Sequence, residues 1–294
     1  MRCRSSRIRL SSRELGPRKN ELFTATSPAL LEHTDRYYLG FNTKYPDFYR
    51  EAEWEREFDE FVRSGRLPSF EIVRLPQDHT DTKVTGIDGV TGPEIQVADN
   101  DYAVGRLVEK VAHSPYKSNT LIFILEDDAQ SGEDHVDAHR STAYIVGPYV
   151  KHGAVVPVRY TTINLIRTIE DILGLDHLNI NTATQRPMSA CFDLRQPDWT
   201  FGAKPSSCLS TTQLPIPHST GTNQLYHITH DAEYWAAKSA EFDFSVADNL
   251  RDPEKYNRII WEGLKVDIPY PTRRDGRDLR KNRETLLRNA GLEK

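Results

Sequence analysis

Hydrophobic and polar positions divide the chain into a few well-marked elements. Residues 46–64 (PDFYREAEWEREFDEFVRS) place Phe48, Trp54, Phe58, Phe61 and Val62 on one stripe, with Pro46 suited to a first turn and Gly65 to a stop. That pattern predicts a helix whose aromatic stripe packs into the core. FEIVRL (70–75), ended by Pro76, predicts a short strand, and a Gly-, Asp- and Thr-rich loop is expected over 76–98. Residues 99–114 repeat Val104, Leu107, Val108, Val111 and Ala112 at helical spacing, with Asp99 or Asp101 placed to cap that helix.

TLIFILE (120–126) is an apolar run without alternation, the pattern of a strand buried on both faces in a parallel sheet. STAYIVG (141–147) predicts a further strand. TTINLIRTIEDILG (161–174) predicts a helix with a Thr cap, an isoleucine stripe and Gly174 as its stop. This order of elements implies an α/β fold, an αβα sandwich with a mostly parallel sheet. Residues 195–225 are rich in Pro, Ser and Thr and read as a long loop. Short helical pieces follow around 230–240 and 253–263, and 267–294 is a charged end. The expected division is a disordered basic segment over 1–20, an α/β domain over 21–195, and a loop with short packing helices over 196–294.

The bulk numbers exclude little. The chain has 294 residues, 37% hydrophobic and 28% charged, with net charge −5. No strong basic balance favours nucleic acid as a partner. No window of about 18 apolar residues predicts a membrane span. The basic, Ser-rich start has no apolar core, so no signal peptide is expected there and the compartment stays open. Cys3, Cys191 and Cys208 lack metal-ligand spacing and read as plain thiols, a Cys191–Cys208 disulfide being the alternative in an oxidising compartment.

Two segments carry chemistry. LPQDHT places Asp78 and His79 just past the first predicted strand. EDDAQSGEDHVDAHR follows the buried strand with Asp127, Asp128, His135 and His139, the two histidines at i, i+4. Six acids fall within residues 126–137, and packed at one strand end they repel unless cations compensate them. Mixed carboxylate and imidazole ligands suit Zn, Mn or Fe, and the histidines favour Zn or Mn. Arg140 is placed to clamp a phosphate or to pair with Glu133 or Asp137. An EF-hand spacing, a G-x-S-x-G elbow, a Walker A motif and G-x-G-x-x-G are all absent. The competing reading of such an acidic run is a solvated loop. His152 reads as a surface residue, and His227 and His230 as remote candidates for the site.

These segments, with ADNDYAVGRLVEKVAHSPY, STAYIVGPYV and YTTINLIRTIEDILGL, resemble the C-terminal half of the alkaline phosphatase superfamily. The bacterial phosphoesterase-like branch, often fused behind a β-propeller, is the most similar. The resemblance runs from about 33 to 265. It implies a metal-dependent hydrolase of phosphoric esters holding two divalent ions, Zn or Mn. Asp78 and His79 would hold one ion, Asp127 and Asp128 the other, and His135 and His139 would complete the shells. Relatives place the first histidine four residues after the aspartate, where this chain has Thr82. Relatives are commonly exported. The strand ending in Asp and the Thr or Ser nucleophile that the superfamily places upstream have no counterpart here, so the resemblance implies a domain lacking its N-terminal part. An N-terminal half or a β-propeller from an upstream segment is then the expected partner, besides a phosphate ester substrate. The alternative is a non-catalytic metal- or anion-binding remnant of that fold. A sulfatase reading lacks its C-x-P-x-R motif.

Overall fold

The structure, a computed structural model, describes residues 25, 27–80, 86–126, 141–217, 230–242, 252–265 and 268–270. Its frame is a pair of long helices, α1 (Asp47–Ser64) and α2 (Pro93–Ala112). Helix α1 stops where Gly65 adopts φ 66°, a left-handed conformation that glycine takes without a Cβ penalty, and its N–H donates to the Phe61 carbonyl. Phe48, Trp54 and Phe58 are buried, as the stripe predicts. Helix α2 begins six residues earlier than its periodicity indicates, because Pro93 occupies the first turn, where a missing N–H costs nothing.

Two apolar clusters lie along the α1–α2 seam. One joins Phe48 and Tyr49 to Ile95 and Tyr102 and is closed by Leu209 and Leu214 from the downstream segment. The other joins Trp54 and Phe58 to Val108 and Val111, with Trp199 over them. The polar side of the seam is a ladder of ion pairs: Arg106 to Glu51 (2.6 Å) and Glu55 (2.8 Å), and Lys110 to Glu55 (3.0 Å) and Asp59 (2.7 Å).

The sheet corrects the expected architecture. Strands β1 (Ile122–Leu125) and β2 (Ala143–Val146) are the two strands among the described residues, and they pair antiparallel, Ile122 against Val146 and Leu125 against Ala143. The described residues form no mostly parallel αβα sandwich. The direction is set by the ladder register, in which the partner positions run in opposite senses from Ile122↔Val146 to Leu125↔Ala143, and the pair continues at the Glu126 N–H, which donates to the Thr142 carbonyl. Nor is β1 buried on both faces. Ile122, Ile124 and Val146 pack on the second helical cluster, while Leu125 and Tyr144 are exposed. The strand predicted over 70–75 does not form; Phe70 and Ile72 face solvent. The segment is held at points instead, by Tyr38 Oη to the Arg74 carbonyl (2.6 Å) and Trp54 Nε1 to the Glu71 carboxylate (3.1 Å).

Helix α3 (Thr162–Leu173) forms where predicted, with a Thr161–Asn164 capping box and Gly174 at φ 66°. Its buried residues are Asn164, Thr168 and Glu170, which tie it to the segments on either side of α4 (Ile180–Thr184): Glu170 accepts from the Leu178 N–H, Asn164 donates to the Arg186 carbonyl and Thr168 accepts from the Met188 N–H. Thus its polar face is the one turned inward and its isoleucine stripe is only partly covered. Helices α5 (Ala232–Lys238) and α6 (Pro253–Leu264) match the two short pieces expected near the end. They dock through Trp235, which is 1% exposed and lies against Gly92, where a Cβ would sit tightly at 3.1 Å and φ is 86°, and against Gly263, where a Cβ would lie 2.3 Å from the ring. Cys191 and Cys208 are buried free thiols and form no disulfide.

Candidate metal-ligand turn

Asp78 and His79 lie on a 3₁₀ turn, Pro76–His79, that packs against α2. Its inner side is anchored unusually well. Gln77 is fully buried; its backbone N–H donates to the Asp47 carboxylate (2.9 Å), and its side-chain amide donates to the carbonyls of Thr43 (2.8 Å) and Tyr45 (2.9 Å). Asn100 donates both to Asp47 (3.0 Å) and to the Leu75 carbonyl (2.9 Å). Beyond His79, Thr80 closes the turn at φ 49°, a conformation a β-branched residue seldom takes, and its carbonyl accepts from the Tyr256 hydroxyl of α6 (2.6 Å). The His79 ring stands edge-on to Phe41 at 4.8 Å. Asp78 faces solvent and His79 is half-buried.

The anchor beneath this turn is a buried ionic cluster. Arg50, fully buried, donates to the carbonyls of Leu39 (2.9 Å), Gly40 (2.7 Å), Asn42 (2.8 Å) and Tyr45, and to the Asp47 carboxylate (2.9 Å). Asp99, in the middle of α2, accepts from the Asp47 and Phe48 backbone N–H groups, so it caps the start of α1 rather than of its own helix. Burial, and then the charge of Asp47, push Asp99 up to about 8 against the pull of those two N–H donors and Arg50. Burial also raises Asp47, opposed chiefly by Arg50.

The second segment leaves and re-enters the described fold at a single stem. Beyond the last ladder pair, the Glu126 N–H donates to the Thr142 carbonyl (3.2 Å), the Ser141 hydroxyl donates to the Glu126 carbonyl, and the Thr142 hydroxyl donates to the Glu126 carboxylate (3.1 Å). Asp127, Asp128, His135, His139 and Arg140 lie outside the described residues. Among the described residues no three His, Cys, Asp or Glu side chains come together as a metal site. Asp78 and His79 are therefore the two sequence-predicted ligands whose surroundings are defined. His152 is an exposed loop residue. His230 stacks on Tyr234 at 3.6 Å and lies edge-on to Trp235 at 6.0 Å, a packing role.

The groups that fix the turn, Asp47, Gln77, Asn100 and Tyr256, were not singled out by sequence as part of a site. Asn100 and Asp99 carry the signature of helix caps, and no local pattern marks Tyr256. Gln77, next to Asp78, was the one local signal. No family model, curated protein or solved structure matches the chain. No helix among the described residues is long and apolar enough to cross a membrane.

Proposed function

We propose that the chain binds divalent metal ions, Zn or Mn, through Asp78, His79 and the segment carrying Asp127, Asp128, His135 and His139, and that this site serves hydrolysis of phosphoric esters. The observation that carries the reading is the LEDD segment at the end of β1, followed by two histidines at i, i+4 and complemented by a second Asp-His pair on a turn. Six acids between residues 126 and 137 repel one another unless cations sit among them. The buried anchoring of the Pro76–His79 turn supports it, since ligand residues bind best when their backbone is already fixed. Held by these residues, the ions would supply Lewis-acid stabilisation of a phosphoryl group and activation of water where no Thr or Ser is assigned. Arg140 would contact the phosphoryl oxygens.

The test measures bound Zn and Mn by elemental analysis in the wild type and in Asp127→Ala and Asp128→Ala, while hydrolysis of an aryl phosphate ester is followed in the same samples. Metal bound by the wild type and lost in both variants, with turnover lost alongside it, is the expected result. Metal binding without turnover would reduce the role to a binding protein. A wild type that binds neither ion would refute the site.

A further inference from the structure

We infer that Tyr256 is a positioning residue for the Asp78–His79 turn, so that α6, some 175 residues further along the chain, completes the site rather than merely covering the surface. The inference takes from the metal reading above only what the turn is for; the geometry of the turn stands by itself. The turn is held from two sides. On its N-terminal side Asp47, Gln77 and Asn100 fix the backbone as far as Gln77. On its C-terminal side the Tyr256 hydroxyl donates to the Thr80 carbonyl at 2.6 Å. Thr80 needs such a hold. At φ 49° it sits in the left-handed region that disfavours a β-branched side chain, and its own N–H makes only a long 3.3 Å bond to the Gln77 carbonyl. Freed from Tyr256, Thr80 can return to an extended backbone, and the preceding residues, Asp78 and His79, turn with it.

The tyrosine is itself rigidly placed. It is 2% exposed, meets Phe242 edge-on at 5.3 Å, and its helix is keyed by Trp235 against Gly263. Such packing gives the hydroxyl a fixed origin, as a group orienting ligands from behind requires.

The test is Tyr256→Phe, which keeps the ring and its packing and deletes only the hydroxyl. Hydrogen exchange of the 77–80 amides is measured without metal, and affinity for Zn²⁺ or Mn²⁺ is measured by competition with a chelating dye, in wild-type and His79→Ala backgrounds. The expected result is exchange about tenfold faster at 77–80 with α1 amides unchanged, and metal affinity about tenfold weaker. The affinity loss should vanish in the His79→Ala background, whereas a general loosening of the fold would persist there. Unchanged exchange at 77–80, or an affinity loss of equal size in both backgrounds, overturns the inference. A wild type that binds no metal refutes the proposed function instead, and the exchange measurement alone then decides whether Tyr256 sets the turn.

Discussion

Asp47→Asn tests the buried anchor directly. The substitution keeps the shape of the side chain but removes its charge and half of its accepting capacity. One carboxylate oxygen faces Arg50; the other faces the Gln77 N–H and the Asn100 amide. Whichever way an asparagine amide is turned, its NH₂ group meets a donor, either the guanidinium or the Gln77–Asn100 pair. Both Asp47 and Arg50 are fully buried, so water cannot replace the lost partner. Removing one member of such a pair costs about 3–5 kcal/mol. That is a large part of the roughly 5–15 kcal/mol that holds a domain together. Urea titration followed by far-ultraviolet circular dichroism should show the midpoint falling with no change in slope, and thermal melting should fall by about 10 °C. Arg50→Met should be similarly damaging, because four carbonyls lose their donor, and the double variant should be less unstable than the two losses combined. A loss below about 1 kcal/mol for Asp47→Asn would refute the view that this cluster anchors the fold.

Three further outcomes follow from the same structure. Burial pushes Glu51 up to about 8 from its ordinary 4.5, against the opposing pull of Arg106. A folded-state value above the unfolded one favours the protonated form, so its stabilising contribution is complete below about 4.5 and fades as pH rises through 8; Glu51→Gln should flatten the decline in stability between pH 5 and 9, and an unchanged slope would count against it. Gly263→Ala should destabilise, contrary to the usual gain of about 1 kcal/mol from replacing a helical glycine, because the new Cβ would lie 2.3 Å from the Trp235 ring; melting temperature and tryptophan fluorescence read this. Saturating Zn²⁺ or Mn²⁺ should raise the melting temperature of the wild type but not of Asp127→Ala, and equal shifts in both would argue against ligation by that residue.

Where a signal is local, the sequence was a good guide. The α1 stripe and its Gly65 stop, the isoleucine repeat of α3 with Gly174, and the positions of β1, β2, α5 and α6 all follow from residues within a turn or two of each other. Strand direction is not local. TLIFILE reads alike in a parallel sheet and in an antiparallel pair, and the register of Ile122–Leu125 against Val146–Ala143 decides between them. FEIVRL has strand composition but no partner strand among the described residues, and composition cannot supply one. Asp99 shows the same limit from the polar side. Its place near a helix start marks it as a cap, yet the helix it caps is α1, 51 and 52 residues away. Of the candidate turn, the sequence offers Asp78 and His79 as residue types, while the buried charges that hold the turn look in sequence like any solvated helix surface.

The stem at Glu126 and Ser141 joins residues 15 positions apart in the chain. Bringing the two ends of a free segment together carries an entropic cost that grows with its length. Here the stem that joins Glu126 to Ser141 and Thr142 makes that closure, and it extends the β1–β2 ladder by one more backbone bond. An isolated two-stranded ladder is marginal in water, so the stem and the packing of Ile122, Ile124 and Val146 on the helices carry it together. Under the proposed metal reading, ion binding between the two ends and ladder stability would be linked quantities, and the backbone amides of Ile122–Leu125 would report on both.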